Sequence, residues 1–198
     1  MENKDLYTDY MKLFLEENSK VNLISKNDEK YLWEKHILDS LSFTEFYEKY
    51  LKEKSNIRLL DIGTGGGFPS VPIAIKYPDI EVYALDSIGK KIRAVENISK
   101  NLNLKNLHMV CMRVENFDMK FDVITSRAVS SLNKICAYAL PKLNKGGYFV
   151  AYKSRKTPEE IYEAAEILKK YNAEITEIIE YKLPVEQDLI RNLIVISR

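Results

Sequence analysis

The sequence predicts an α/β protein built on a mainly parallel, doubly wound sheet, with a helical extension before it and an antiparallel hairpin at its end. Three observations carry that expectation. Short apolar runs alternate with helix-period segments from about residue 57 onward. A glycine-rich turn joins the first run to the first of those helices, and the last two apolar runs have no helix between them.

Along the first fifty residues, Leu6/Tyr7, Tyr10/Met11 and Phe14/Leu15 recur in pairs four apart, which is one apolar stripe of an amphipathic helix. Asn18, Ser19 and Asn22 break the pattern, and Asn27 or Asp28 is expected to cap a second helix reaching about residue 50. Strands are then expected over 57–62, 82–85, 107–112, 121–125 and 148–151, with helices over 69–77, 89–101, 132–140 and 158–171. Strands that alternate with helices pair in parallel, with both faces covered. Right-handed crossovers place the first strand centrally and the ligand crevice at its carboxyl end. Runs at 175–181 and 193–196 complete the sheet as a hairpin. Residues 1–52 are thus expected to form a helical extension and residues 53–198 the sheet domain, the two making one compact unit.

A chain of 198 residues buries roughly 70% of its unfolded surface, so no disulfide or metal staple is needed. Cys111 and Cys136 show neither a disulfide framework nor metal-ligand spacing, and both are expected as small core residues. No metal is expected, and a reducing, cytoplasmic location is. The opening MENKDLYTDY lacks an apolar segment, so no secretory signal is expected, and no run has the length of a membrane span. Net charge is +1, so any nucleic-acid binding would rest on local clusters. Lys12, Lys20, Lys26 and Lys35 flank the N-terminal helices. Lys145, Lys153, Arg155 and Lys156 surround the end of the strand at 148–151, where Lys153 and Arg155 face the expected mouth as phosphate contacts.

The first strand runs into Asp61-Ile-Gly-Thr-Gly-Gly-Gly67, and Phe68-Pro69 opens a helix. Glycines there let a ligand approach the backbone where a Cβ would collide. Asp86 ends the second strand about 20 residues later, where a ribose diol needs a bidentate acceptor. A cap for the following helix, from Asp86 or Ser87, is compatible with that role. Asp61 stands two residues before the first glycine, where the ammonium of an amino acid could sit. A dinucleotide fingerprint needs no such acid, because its loop serves a pyrophosphate. The D-x-G-x-G-x-G spacing is similar to the first motif of class I (Rossmann-like) methyltransferases, whose cofactor is S-adenosylmethionine.

The phrases DIGTGGGFPSVPIAI, ALDSIGKKI, RVENF, TSRAVSSL and GGYFVAYKS follow in order, preceded by Val21-Asn22-Leu23-Ile24 and His36-Ile-Leu-Asp39-Ser40-Leu41. Together they closely resemble the glucose-inhibited division protein B family, methyltransferases that make 7-methylguanosine in 16S ribosomal RNA. The resemblance spans roughly residues 6–197. It implies cofactor contacts at Gly63, Gly65 and Phe68, ribose binding by Asp86, adenine contacts by Val114 and Glu115, and Arg127 beside the methyl group. It places Lys153 at a family lysine and makes small-subunit ribosomal RNA, or the assembled subunit, the partner of a monomer. Ser70 stands where members commonly have glycine, and Lys153-Ser154 where many have Lys-Gly. Many members also carry a basic, proline-rich tail beyond the position of Arg198, so fewer RNA contacts are expected here.

The segment after the fourth strand, Thr125-Ser126-Arg127-Ala128, has no N/D-P-P-Y-like tetrapeptide for an exocyclic amine. A pyrimidine C5 enzyme would need a nucleophilic cysteine, and a ribose 2′-hydroxyl enzyme a base. Guanine N7 carries an in-plane lone pair and no proton, so holding donor and acceptor aligned suffices. Arg127 is the leading candidate outside the cofactor loop. It could bond guanine O6, stack on the base, or pair with a phosphate or the cofactor carboxylate. Alternatively it is a structural ion pair, for instance with Asp61 or Glu115. His36, Asp39 and Ser40 share one helix face. They form either a polar edge over the cofactor mouth, with His36 catalytic and His36 and Asp39 touching substrate, or a histidine satisfied within the helix–sheet interface. Asn22 is either part of that substrate-binding rim or a turn residue.

Overall fold

The structure, a computed structural model, describes residues 3–154, 157–185 and 189–198. Its strands are β1 (Arg58–Ile62), β2 (Glu81–Asp86), β3 (Leu107–Cys111), β4 (Phe121–Arg127), β5 (Leu143–Lys153), β6 (Glu174–Leu183) and β7 (Leu189–Ser197). They form one sheet in the order β3-β2-β1-β4-β5-β7-β6. β1 pairs in parallel with β2 and β4, so the strand order reverses at β1 and opens a crevice at its carboxyl end. The expected C-terminal hairpin is present, with β7 antiparallel to both β5 and β6.

Helices α4 (Ser70–Lys76), α5 (Gly89–Asn101), α6 (Leu132–Ala139) and α7 (Thr157–Lys170) fall where the periodicity placed them. Alternation along the strands divides the core between the two faces of the sheet. Leu59, Val123, Val150 and Val195 join one apolar cluster, while Leu60, Ile124, Phe149 and Ile196 join the other. The first cluster also takes Tyr10 and Phe14 from α1 (Asn3–Val21), and Phe43 and Phe46 from α3 (Phe43–Tyr50), all fully buried. The N-terminal helices therefore share a core with the sheet. Phe14, Phe43 and Phe46 stabilise it by roughly 2 kcal/mol each on full burial.

The second helix differs from the expectation. A 3₁₀ helix at Lys26–Tyr31 leads into a π-helix at Leu32–Leu38, then α2 (Asp39–Leu41) and α3. Its cap is Ser25, not Asn27 or Asp28. The Ser25 hydroxyl accepts from the Asp28 amide at 3.2 Å and donates to the Asp28 carboxylate at 2.7 Å. Asn18 anchors the preceding turn by accepting from the Ile24 amide (2.8 Å) and donating to Glu29 (2.7 Å). Among the described residues, no helix is long and apolar enough to cross a membrane.

Candidate active site

Between β1 and α4 the chain turns through the glycine loop, whose Gly63 and Thr64 amides donate to the Leu85 carbonyl of β2 at 2.8 and 2.9 Å. Gly63 and Gly65 have φ of +74° and +56°, a region that costs a residue with Cβ about 1–2 kcal/mol. Their surroundings differ. A Cβ on Gly63 would run into the Val129 side chain, whereas one on Gly65 would meet nothing nearer than 3.9 Å. Gly65 borders a cavity of about 470 Å³ that is also lined by Gly63, Phe68, Asp86, Val114, Glu115 and Arg127. Seven of the eight residues expected at the cofactor thus share one wall.

The eighth, Asp61, is fully buried and is not part of the cavity lining. Its Oδ1 accepts from the Thr125 hydroxyl at 3.0 Å, and its Oδ2 has no hydrogen-bond partner among the described residues. Burial pushes its pKa up to about 6 against the Thr64 and Thr125 hydroxyls and the Arg127 charge. On the opposite side, Asp86 Oδ2 accepts from the Gly65 amide (3.0 Å) and Oδ1 from the Ile88 amide (2.9 Å). Each oxygen keeps a lone pair for a further donor. No side chain caps the start of α5, so neither Asp86 nor Ser87 is its N-cap. An orphaned buried acceptor behind the loop, a carboxylate with spare lone pairs and open space above Gly65 fit a cationic nucleoside such as S-adenosylmethionine. Leu23, Ile24, Lys91 and Arg113 also line the cavity, although no site role was read for them from sequence.

A second cavity, of about 540 Å³, adjoins the first, and the two share His36, Arg127 and Ala128. Arg127 ends β4, and Asp39 reaches it from the N-terminal extension. Arg127 Nη1 donates to Asp39 Oδ2 at 2.7 Å and to the Lys35 carbonyl at 3.3 Å, and Nη2 donates to His36 Nδ1 at 3.2 Å. The guanidinium lies 5.1 Å from the Phe68 ring centroid, and the His36 and Phe68 rings are also 5.1 Å apart. Arg127 does form an ion pair, but with Asp39 rather than Asp61 or Glu115. The π-helix sets this up, because it turns the Lys35 carbonyl, the His36 ring and Asp39 toward one guanidinium. Asp39 Oδ1 accepts from Tyr181 at 2.6 Å. Both of its oxygens are thereby engaged, so Asp39 lines the second cavity as the anchor of Arg127. Ala128 follows at φ +56°, and the other left-handed non-glycine residues described, Asn22, Asn56, Asn103 and Asn172, are all asparagines.

His36 is neutral. Burial, then the Arg127 charge, depress its pKa to about 4. Because arginine only donates, Nδ1 accepts and Nε2 carries the proton. That Nε2 is buried without a hydrogen-bond partner among the described residues.

Other expected residues fall differently. Asn22 is exposed, lines neither cavity and turns the chain after α1 at φ +54°, so the turn reading holds. Lys153 lines the second cavity, but its ammonium bonds Glu160 at 2.6 Å and the Ser130 carbonyl at 2.8 Å. Glu160 in turn accepts from the Leu132 amide at the start of α6. Arg155 lies outside the described residues. Ser70 is fully buried, 2.5 Å from the Thr64 hydroxyl, so the serine ties the loop to α4. Cys136 is buried and its thiol is pushed up to about 12, whereas Cys111 is exposed, contrary to a core position.

The family model described as rRNA small subunit methyltransferase G (GidB) matches residues 3–190. The ribosomal RNA small subunit methyltransferase G of Lachnoclostridium phytofermentans is 37% identical over 195 residues, covering 96% of this chain and 78% of that protein. Its namesake in Staphylococcus epidermidis is 34% identical over 200 residues, covering 98% of this chain and 82% of that protein. Precorrin-6y C5,15-methyltransferase from Geobacter metallireducens superposes with a TM-score of 0.58 at 15% identity, over 88% of this chain and 90% of that one. TYW2 of M. jannaschii, solved in complex with AdoMet, gives 0.58 at 17% identity over 78% and 74%. At those identities the solved structures establish the fold alone.

Two buried groups at this site give opposite pH slopes. The unfolded chain protonates His36 near 6.5 and the native one only near 4, so His36 makes stability fall as pH drops through that window. Asp61 holds its proton to about 6 when native but only to 3.8 when unfolded, so it makes stability fall as pH rises through that range. Relative to wild type, His36→Gln will flatten the loss of melting temperature below pH 6.5, and Asp61→Asn will deepen it; equal slopes in all three proteins would contradict both shifts. Asp39→Asn strips the counter-ion from a side chain only 16% exposed, and denaturant titration is expected to show a loss of about 3 kcal/mol or more. Tyr181→Phe is expected to cost less, about 1.5 kcal/mol.

Proposed function

The chain belongs to the GidB family, rRNA small subunit methyltransferase G, and we propose that it transfers the methyl group of S-adenosylmethionine to N7 of a specific guanine in small-subunit (16S) ribosomal RNA. The observation that supports this reading best is that neither His36, on the wall common to the two cavities, nor Asp39 behind it is a free base. His36 Nδ1 is taken up by Arg127, and both Asp39 oxygens are taken up by Arg127 and Tyr181. A guanine N7 has no proton to lose, so in-line attack needs only placement at about 3–3.5 Å from the methyl carbon.

The cofactor, when bound, supplies an electrophilic methyl group on a sulfonium. Gly63 and Gly65 give its amino-acid end close access to the backbone. Asp86 receives the ribose diol, and Val114 and Glu115 flank the adenine. The buried carboxylate of Asp61 lies behind the loop and attracts the ammonium from there. Phe68 packs against the tilted His36 ring and the Arg127 guanidinium. Three of the five N–H groups of Arg127 are held by Asp39, Lys35 and His36, leaving two for substrate or the cofactor carboxylate. We assign Arg127 and His36 to orientation of the reacting pair. Residues 1–52 then act as an extension that supplies His36 and Asp39 to the site of the domain at 53–198, in a monomer working in the cytoplasm on ribosomal RNA.

Gly65→Val will abolish cofactor binding in equilibrium dialysis, because the branched side chain enters the cavity and disfavours positive φ; unchanged affinity in folded protein would remove the loop from the site. Arg127→Ala will lower single-turnover methylation of ribosomal subunits roughly 100-fold or more, and Arg127→Lys will restore little, since an ammonium cannot reproduce the planar fork. Wild-type turnover in the alanine variant would assign Arg127 to packing alone. Free guanosine is expected to be a very poor acceptor beside ribosomal subunits.

A further inference from the structure

The side chains lining the second cavity include four cations and three carboxylates, and three of the cations are already paired. Lys35 meets Asp28 at 3.3 Å, Arg127 meets Asp39 at 2.7 Å and Lys153 meets Glu160 at 2.6 Å. The fourth is Arg191. Among the described residues it has no carboxylate partner, and its side chain makes one hydrogen bond, a long contact of 3.3 Å to the carbonyl of its own neighbour, Ile190. Arg191 sits on β7 directly across from Tyr181 on β6. Cross-strand partners share a face of the sheet, and Tyr181 from that face reaches Asp39. Arg191 is therefore one side chain removed from the Arg127–Asp39 pair, in a cavity that shares a wall with the cofactor cavity. A half-buried guanidinium with no counter-ion among the described residues, on a rigid strand beside three neutralised cations, suits an anion that offers two oxygens, such as a phosphodiester.

We infer that Arg191 is a substrate-binding residue that takes a backbone phosphate adjoining the target nucleotide, and that Lys153, although basic and at the same mouth, does not. The inference rests on the RNA methyltransferase reading above. It fixes where the strand lies: the nucleotide enters the second cavity with its phosphate toward β7 and its base toward Arg127. Lys153 instead holds the loop at Ser130 and the start of α6 through Glu160, which makes it a positioning residue.

The test uses the full chain with purified small ribosomal subunits and 16S RNA from cells lacking this methylation, over a salt series. Arg191→Gln is expected to raise KM for the RNA roughly tenfold with kcat nearly unchanged. It should also reduce the log–log salt slope by about 0.7, one phosphate on a single strand. Affinity for S-adenosylmethionine should stay at the wild-type value, which also reports that the variant is folded. Arg191→Lys should recover the salt slope but only part of the KM, and Lys153→Gln should leave the slope unchanged. An unaltered KM and slope in a folded Arg191→Gln variant would overturn the inference, as would a slope lost with Lys153→Gln instead. Failure of the wild-type protein to methylate either RNA would overturn the underlying reading and this inference with it.

Discussion

The ion pair between Arg127 and Asp39 is the contact on which the site depends. It joins the end of a central strand to the N-terminal extension, and it does so with side chains 16% and 8% exposed. A guanidinium at that depth is costly without a partner. Once paired, it fixes its neighbours in turn. Its second nitrogen sets the His36 tautomer, its face rests against Phe68, and the far oxygen of Asp39 recruits Tyr181 from β6. The wall between the two cavities is thus a polar network in which the sheet and the extension each supply half. Its specificity comes from geometry more than from net stabilisation, since buried pairs of this kind roughly break even against apolar packing.

Most of the architecture was legible because the alternation of strands and helices is long and regular. The strand order around β1, the placement of α4 to α7 and the C-terminal hairpin all follow from period-2 and period-3.6 patterning with the crossover rule. The stretch from residue 22 to 50 was not legible in the same way. It contains no glycine or proline to announce a break, and its π-helix presents the Lys35 carbonyl and the His36 ring to Arg127, about ninety residues further along. Local signals carry no information about such a partner.

The site was legible unevenly for a related reason. Residues presented by backbone geometry, such as Gly63, Gly65 and Asp86, line the cavity where motif spacing places them, because a strand end and a tight turn leave little freedom. Residues whose role depends on a side-chain partner did not announce that partner. Asp39 and Lys153 read from sequence as groups turned toward substrate, and each is occupied within the protein. Arg191 lies in a short polar break before an apolar run, with nothing local to set it apart from other surface cations; only the sheet register brings it beside Tyr181.

The same pairing has a consequence for recognition. A mouth lined by free lysines would hold any RNA strongly and discriminate little, because backbone charge is the same at every nucleotide. Here most of the cavity's positive charge is already neutralised by Asp28, Asp39 and Glu160, and the chain as a whole carries a net charge of only +1. Non-specific attraction is correspondingly weak. In the proposed function, binding comes from a fit that seats a base against the Arg127 wall while its phosphate meets Arg191, and few positions in a folded RNA meet both conditions at once. Internal ion pairs that contribute little to stability thereby raise selectivity, by withholding from the wrong RNA a charge that it would otherwise have used.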